Sequence, residues 1–459
     1  MPRSCHHCHE FSRAALLRKG AAEAGRGLPA IEAGMPVPAG TGLDRRSFVA
    51  GAFGLALSVY GLGKLNLFEE GIAQAATRPS QPVLVSVFLP GGADSLSVLA
   101  PVLDPSYRKL RPTLALPADA GPAFSEDPRL HWHPSLQPLA TLHAEGKVSV
   151  MPAIGYTHPD QSHFTSRHFW EVGATDPRLT SGWMGRYLDR HGTKDNPLQG
   201  LSLDYQLQPS LASAKVPVAS LAAPDEYTFY APGVWGQVED RMLEALEPLG
   251  AHRPDPGLNQ AAKATSQSDR LRRQLAPFHS DGNGGFGSPV PYPQVDSGFP
   301  RQLSGLAAML AAKLPVRCVA LTAPGEYDTH ADQPQALSDG LDVTARTLLA
   351  FQRDLEARGL ADRVLTLVWT EFGRRGEENG SDGTDHGAAG AAFLIGTRAR
   401  GRMVGEFPGL ANGLDDDGNL RPTSDFRGVY CSLLEQWLGA DAGGVIPAAR
   451  SFARPALVK

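Results

Sequence analysis

Five runs of strand length punctuate the chain, at residues 83–89, 148–151, 316–321, 364–369 and 391–395. Most are near-continuously apolar instead of alternating, which is the pattern of strands buried on both faces. Helical periodicity lies between or beside them. It is clearest over 341–360, where Leu348, Leu349, Phe351, Leu355 and Leu360 recur at helical spacings and Gly359 marks the end. A second helix is predicted over 429–438. Strands alternating with helices predict an α/β fold with a mostly parallel central sheet and helices on both faces. The stretch from about 250 to 300 departs from this pattern. It is rich in Ala, Gln, Ser and Arg, then passes through the glycines at 282–287 and three prolines ending at Pro293. This reads as a polar helix followed by a long surface loop, a lid or an inserted excursion. No internal repeat is visible.

The N-terminal part is patterned differently. Asp44-Arg45-Arg46-Ser47-Phe48-Val49 sets two arginines before a mildly apolar run, 48–63, that carries four glycines. That run is too short and too weakly apolar for a stable span. Ala73-Gln74-Ala75 then offers a small-x-small cleavage site. Twin arginines, weak apolar run and cleavage site in this order predict a twin-arginine signal over 44–76. The translocase is then a partner, and the destination is the periplasm, the cell envelope or the exterior. Residues 1–43 read as a disordered basic leader, and translation from Met35 is an equal alternative to Met1. The leader's Cys5-His6-His7-Cys8-His9 has the form of a haem-attachment motif or a zinc half-site. Haem is attached outside the cytoplasm, and one Cys pair lacks the remaining ligands of a structural zinc.

What remains, 77–459, is long enough for one large α/β domain. A net charge of −5 over the whole chain and the lack of a basic cluster in this part argue against a nucleic-acid surface. No further segment is apolar enough to cross a membrane. Cys318 and Cys431 are its two cysteines and read as buried thiols, with a disulfide between them the open alternative.

Chemistry-bearing residues gather just after the predicted strands. Residues 83–89 run into Gly91-Gly92-Ala93-Asp94, 316–321 into Asp328-Thr329-His330, and 364–369 into Thr370-Glu371-Phe372-Gly373-Arg374. A loop then supplies Thr384-Asp385-His386-Gly387. In an open parallel sheet the carboxyl ends of the strands face one crevice. Carboxylates and imidazoles meeting there suit a divalent ion of zinc, manganese, iron or magnesium. Asp94 reads equally as a turn or helix cap.

A second cluster follows 148–151: Ser162-His163-Phe164, then Arg167, His168, Trp170 and Glu171. A helix is predicted to start near Ser162, which places its hydroxyl in the positive field of a helix N-terminus. Ser162 is therefore a candidate nucleophile and, as readily, an ordinary N-cap. His163 and His168 are five apart, so at most one faces the site. The stretch 181–188 reads as a turn and a structural amphipathic helix.

These pieces, with Trp170-Glu171-Val172-Gly173 and Thr423-Ser424-Asp425-Phe426-Arg427, resemble the exported bacterial family catalogued as domain of unknown function 1501. The resemblance runs in order over about 82–440. That family is similar to the alkaline phosphatase-like superfamily of phosphatases, sulfatases and cofactor-independent phosphoglycerate mutases. The resemblance implies an alkaline phosphatase-like three-layer sandwich and a secreted metal-dependent hydrolase of phosphate or sulfate esters, with a small anionic ester as substrate. It implies Asp94, Asp328, His330, Glu371 and His386 as metal ligands and Ser162 as nucleophile. His386 has a second candidate role in protonating the leaving group, and Arg374 or Arg167 in clamping substrate oxygens. The chain departs from the pattern in three ways. Asp328 and His330 are two apart instead of four, Phe372 stands where a histidine is expected, and the serine motif lacks what sulfatases need to make formylglycine. One metal instead of two, or a binding protein that keeps the fold without turnover, is the alternative these departures imply.

Overall fold

The computed structural model describes residues 81–227, 241, 256–278 and 286–459. The leader 1–43 with its Cys-His motif and the signal 44–76 lie outside the described residues, as do 250–255 and 279–285 of the polar stretch. The strands are β1 Val83–Phe88, β2 Leu99–Ala100, β3 His131–Trp132, β4 Val148–Gly155, β5 Gly200–Ser202, β6 Ala219–Ser220 and β7 Cys318–Thr322. They continue with β8 Val364–Trp369, β9 Arg374–Glu378, β10 Thr384–His386, β11 Gly390–Ile395 and β12 Ser424–Asp425. Eight of them form one sheet in the order β12-β4-β11-β8-β1-β7-β5-β6. All its pairings are parallel except those of β11, which runs against both β4 and β8. The mostly parallel sheet expected from the apolar runs is therefore present.

The sheet is apolar on both faces because its central strands divide their side chains between two cores. In β1, Val83, Val85 and Val87 enter one core while Leu84 and Phe88 enter the other. The first core is closed by the helices Gln137–Ala144, Phe299–Ala311 and Gln333–Ala357, through residues such as Leu139, Leu306, Leu341 and Phe351. The second is closed by His163–Val172, Trp183–His191 and Phe426–Ser432, through Trp170, Trp183, Tyr187 and Tyr430. The result is three layers, helix on sheet on helix.

The predicted helix at 341–360 falls on the later two thirds of Gln333–Ala357, which begins eight residues earlier with Pro334 in its first turn and ends three residues sooner. Gly359 takes φ +69° just beyond its end, a left-handed position where glycine is favoured. The predicted helix at 429–438 divides into Phe426–Ser432 and a wider π turn, Leu433–Trp437. In the polar stretch the helix Pro256–Leu275 is present, and Leu271 and Leu275 near its end are fully buried in the first core. Its later part is thus anchored by apolar packing. Pro152 inside β4 lies at a bulge, where three residue steps of β4 oppose two of β11. A bulge is where a strand tolerates a residue without an N–H. Cys318 and Cys431 are both buried free thiols.

Two features aim the loops at the strand ends. Trp170 stacks on Trp369 at 5.1 Å and on Phe426 at 4.6 Å, which fixes the helix His163–Val172 against the end of β8. Asp94 caps the short helix Ser95–Val98 and pairs through both oxygens with Arg111, each side chain fully buried. Arg111 also donates to the carbonyls of Gly376 at 3.0 Å and Arg375 at 2.9 Å. The loop after β1 is thereby tied to β9. Removing one member of a buried ion pair leaves the other charge without compensation. Arg111→Ala is expected to cost roughly 3–5 kcal/mol of stability, and thermal unfolding of the variant beside the parent measures it.

Candidate metal centre

Four parallel strands, β1, β4, β7 and β8, end on the same side of the sheet. The segments that follow them bring Gly91 and Gly92, His163, Asp328 with His330, and Glu371 together, and β10 adds His386. Nε2 of His163 lies 3.0 Å from Nε2 of His386, and each of these nitrogens lies 3.3 Å from Oδ1 of Asp328. The three residues form a group able to hold a metal ion. Their separations match one triangular face of a tetrahedron, whose edge for bonds of 2.0–2.1 Å is about 3.3 Å. Nε2 of His330 adjoins the same edge, 2.9 Å from His386 Nε2 and 3.1 Å from Asp328 Oδ1.

The tautomers follow from the other ring nitrogens. Nδ1 of His163 faces Oε1 of Glu371 at 2.7 Å, Nδ1 of His386 the carbonyl of Gln161 at 2.8 Å, and Nδ1 of His330 Oδ1 of Asp385 at 3.3 Å. Each partner accepts only, when the carboxylates are ionised, so each Nδ1 carries a hydrogen. In a neutral ring that leaves Nε2 as a bare lone pair. Lone pairs facing one another and a carboxylate oxygen repel unless a cation, proton or metal, sits among them. Such outer hydrogen bonds from histidine to carboxylate or carbonyl are the usual support of a metal-binding imidazole.

Charge in the cluster follows the same logic. Burial alone would push the Asp328 carboxyl up, but hydrogen bonds from His163, His330 and His386 and the Arg374 guanidinium hold it well below the usual range. Burial works likewise on Glu371, and its bonds to His163 and to backbone N–H groups lower it instead. His386 is pushed down, first by burial and then by the charges of His163 and Arg374, against its bond to Asp328.

The residues singled out from sequence take different places. Asp328, His330 and His386 are brought together. Glu371 is adjacent but faces elsewhere: besides His163 it accepts from the N–H of Gly91 at 3.0 Å, the N–H of Gly92 at 3.0 Å and the hydroxyl of Thr370 at 3.1 Å. Gly91 has φ +108°, and a Cβ there would lie 2.5 Å from the Asp328 nitrogen. The close approach therefore requires glycine. Asp94 stands apart in its bond set with Arg111, Ser97 and Gln333. Ser162 is the N-cap of His163–Val172, its Oγ accepting from the Thr165 N–H at 3.5 Å.

Arg374 is fully buried, and its donors are committed. They reach the carbonyls of Gly92, Thr384, Tyr327 and Gly91, Nε2 of His330 at 3.5 Å and, at 2.6 Å, Oδ1 of Asp328. It positions Asp328 and has no donor to spare for a substrate oxygen. Arg167, with its side chain 30% exposed, bonds Glu171 at 2.7 Å and lies 4.6 Å over the Phe88 ring. The Phe372 ring packs at 4.7 Å from His163 and 5.0 Å from His386, a wall behind both imidazoles.

His163 is the participant that sequence reasoning left unassigned. Its signal was positional: the first helical residue after a capping serine, on the segment that follows a strand end. His168, the other histidine of that pair, is buried away from the triangle in the second layer. Burial would lower the His163 pKa, but hydrogen bonds to Asp328 and Glu371 raise it to about 9. A histidine raised in the folded state contributes fully below its unfolded value and loses that contribution as pH climbs through its folded value. In the presence of a strong chelator, stability is therefore expected to fall between pH 7 and 10 by up to roughly 3 kcal/mol. Thermal unfolding across that range checks it, and His163→Gln should flatten the decline.

No curated protein matches the chain. Solved structures with a similar chain path include Ps i-CgsB in complex with k-i-k-neocarrahexaose, 8% identical over 82% of this chain and 75% of that one, with a TM-score of 0.35. A protein in the alkaline phosphatase superfamily from Vibrio parahaemolyticus is 10% identical over 81% and 70%, with a TM-score of 0.35. The phosphonate monoester hydrolase of Silicibacter pomeroyi is 13% identical over 81% and 75%, with a TM-score of 0.25. Likenesses this loose carry no conclusion about the chemistry of this chain. A family match is more specific, and it falls on the stretch that supplies Asp328, His330, Glu371, Arg374 and His386. Residues 256–424 match the model of the family described as "Protein of unknown function (DUF1501)".

Proposed function

We propose that the chain is an exported, metal-dependent hydrolase of phosphate or sulfate esters. The observation that carries this reading is the meeting of the His163 and His386 Nε2 atoms on Oδ1 of Asp328, with each Nδ1 tied to an acceptor. Imidazole nitrogens with a hard carboxylate oxygen suit zinc, manganese, iron or magnesium. His163, Asp328 and His386 would hold the ion, with His330 beside them as a further donor. When bound, the ion supplies positive charge against the oxygens that become negative as the ester bond breaks. Export rests on the Arg45-Arg46 signal. Among the described residues no helix is long and apolar enough to cross a membrane.

The chain's own residues do the rest. Ser162 follows β4 and immediately precedes His163, at the N-terminal end of a ten-residue helix. In this reading Ser162 Oγ gives its proton to water and attacks the phosphorus or sulfur centre while the ester oxygen leaves and takes a proton from water. A second water then cleaves the seryl ester to free phosphate or sulfate, and the helix N-terminus favours the anionic group. Arg167 is the cation placed to orient substrate oxygens, since Arg374 is spent on Asp328 and backbone carbonyls. A second reading, an exported binding protein that keeps the fold without turnover, is favoured by the capping bond of the Ser162 hydroxyl.

Hydrolysis of p-nitrophenyl phosphate and p-nitrophenyl sulfate by the purified chain separates the two. The enzyme reading expects turnover that chelation abolishes and that Asp328→Ala lowers by about a thousandfold or more, since several kcal/mol of charge stabilisation is lost. Ser162→Ala should do the same. Turnover that survives Ser162→Ala removes the serine from the mechanism, and turnover that ignores chelation removes the metal. Metal bound without turnover on either ester favours the binding protein.

A further inference from the structure

We infer that the centre holds one divalent ion per chain, and that Asp94 and Glu371 serve its framework instead of ligating a second ion. The inference rests on the metal reading above. Its basis is where the lone pairs around the triangle point. An ion needs several donor atoms close to one another, and among the described residues one group of three histidine or carboxylate ligand atoms lies within 4.8 Å of one another.

The neighbouring carboxylates are already engaged. Asp94 accepts from Arg111 through both oxygens, from the Ser97 hydroxyl at 2.6 Å, from Gln333 Nε2 at 2.7 Å and from the Leu96 N–H at 3.3 Å. It is fully buried, and Arg111 opposite it is equally buried. Taking Asp94 to a metal would leave that guanidinium without its counter-charge. Glu371 is 2% exposed and gives its oxygens to His163 Nδ1, the N–H groups of Gly91 and Gly92, and the Thr370 hydroxyl. Between Gly92 and the two imidazoles stands the Phe372 ring: a Cβ on Gly92 would meet it at 2.4 Å. An aromatic carbon edge offers no lone pair, so this side of the triangle is closed to a second ion.

His330 does not open the other side. Its Nε2 shares both neighbours, His386 Nε2 and Asp328 Oδ1, with the first triangle. The lone pair of an imidazole nitrogen is single and serves one ion. His330, whose Nε2 also lies 3.5 Å from Nη1 of Arg374, has a place in the same centre at most and builds no second one.

The test is stoichiometry, read apart from activity. The purified chain is stripped with a chelator, dialysed against Zn²⁺ or Mn²⁺ in separate experiments, and assayed for metal by elemental analysis. About one ion per chain is expected. The same ratio is expected in Asp94→Asn that retains its circular dichroism, and near zero in His386→Ala. A ratio of two in the unmodified chain overturns the inference while leaving the metal reading intact. Loss of the ion in folded Asp94→Asn overturns it too, because Asp94 would then be a ligand. A ratio of zero in the unmodified chain removes the metal reading and this inference together. The unmodified chain decides the count even if Asp94→Asn fails to fold.

Discussion

The site depends on a single buried guanidinium. Arg374 joins the carbonyls of Gly91 and Gly92 after β1, of Tyr327 after β7 and of Thr384 at the start of β10, and it holds Asp328 through a charge-assisted bond. These segments are far apart in sequence; β1 and β7 pair along their strands, and Arg374 ties together the loops beyond the strand ends. The planar fork of arginine, with donors in a set geometry, can satisfy several carbonyls at once where a lysine could not. Because Arg374 is fully buried, its charge must be balanced locally, and Asp328 supplies the balance. The carboxylate that anchors the histidine triangle is thus held in place from behind.

The second support works on the histidines. Glu371 is caught between the N–H groups of two successive glycines and the Nδ1 of His163, so the loop after β1 sets the orientation of a ring on the segment after β4. A backbone carbonyl does the same for His386. Pre-oriented donors lower the entropy lost when an ion or substrate is bound, and they keep the lone pairs aimed at one point. Electrostatically the triangle is poised for a cation: in its absence a proton is retained on His163, and a metal must displace that proton to bind. Two ion pairs, Arg374 with the half-buried Asp328 and the fully buried Arg111 with Asp94, tie the loops after the strands.

Much of the fold was legible because the central strands are buried on both faces. That burial leaves near-continuous apolar runs, and β1, β8 and β11 lie almost where those runs are. The reversed direction of β11 was not legible, since an apolar run carries no sign of its polarity within a sheet. The short strands β5 and β6 were not legible either, being two or three residues long with no periodicity to show. At the site, Asp328, His330 and His386 could be picked out by residue type and by position after strands. Side-chain direction could not. Glu371 and Asp94 sit where the resemblance to known hydrolases implies ligands, yet the glycine N–H groups take one and Arg111 takes the other. Arg111 lies in a stretch with no motif, which is why its pairing could not be anticipated. His163 was hidden by the same lack of direction, one of two histidines of which only the helix register decides which faces the crevice.

The central claim is that an imidazole-rich, sulfur-free triangle built on His163, Asp328 and His386 holds a divalent ion. X-ray absorption at the metal edge of the zinc-loaded chain tests it most directly. The account predicts nitrogen and oxygen neighbours at about 2.0–2.1 Å, with the outer-shell scattering of two or three imidazoles and no sulfur. A spectrum with sulfur in the first shell, or with fewer than two imidazoles, would contradict it.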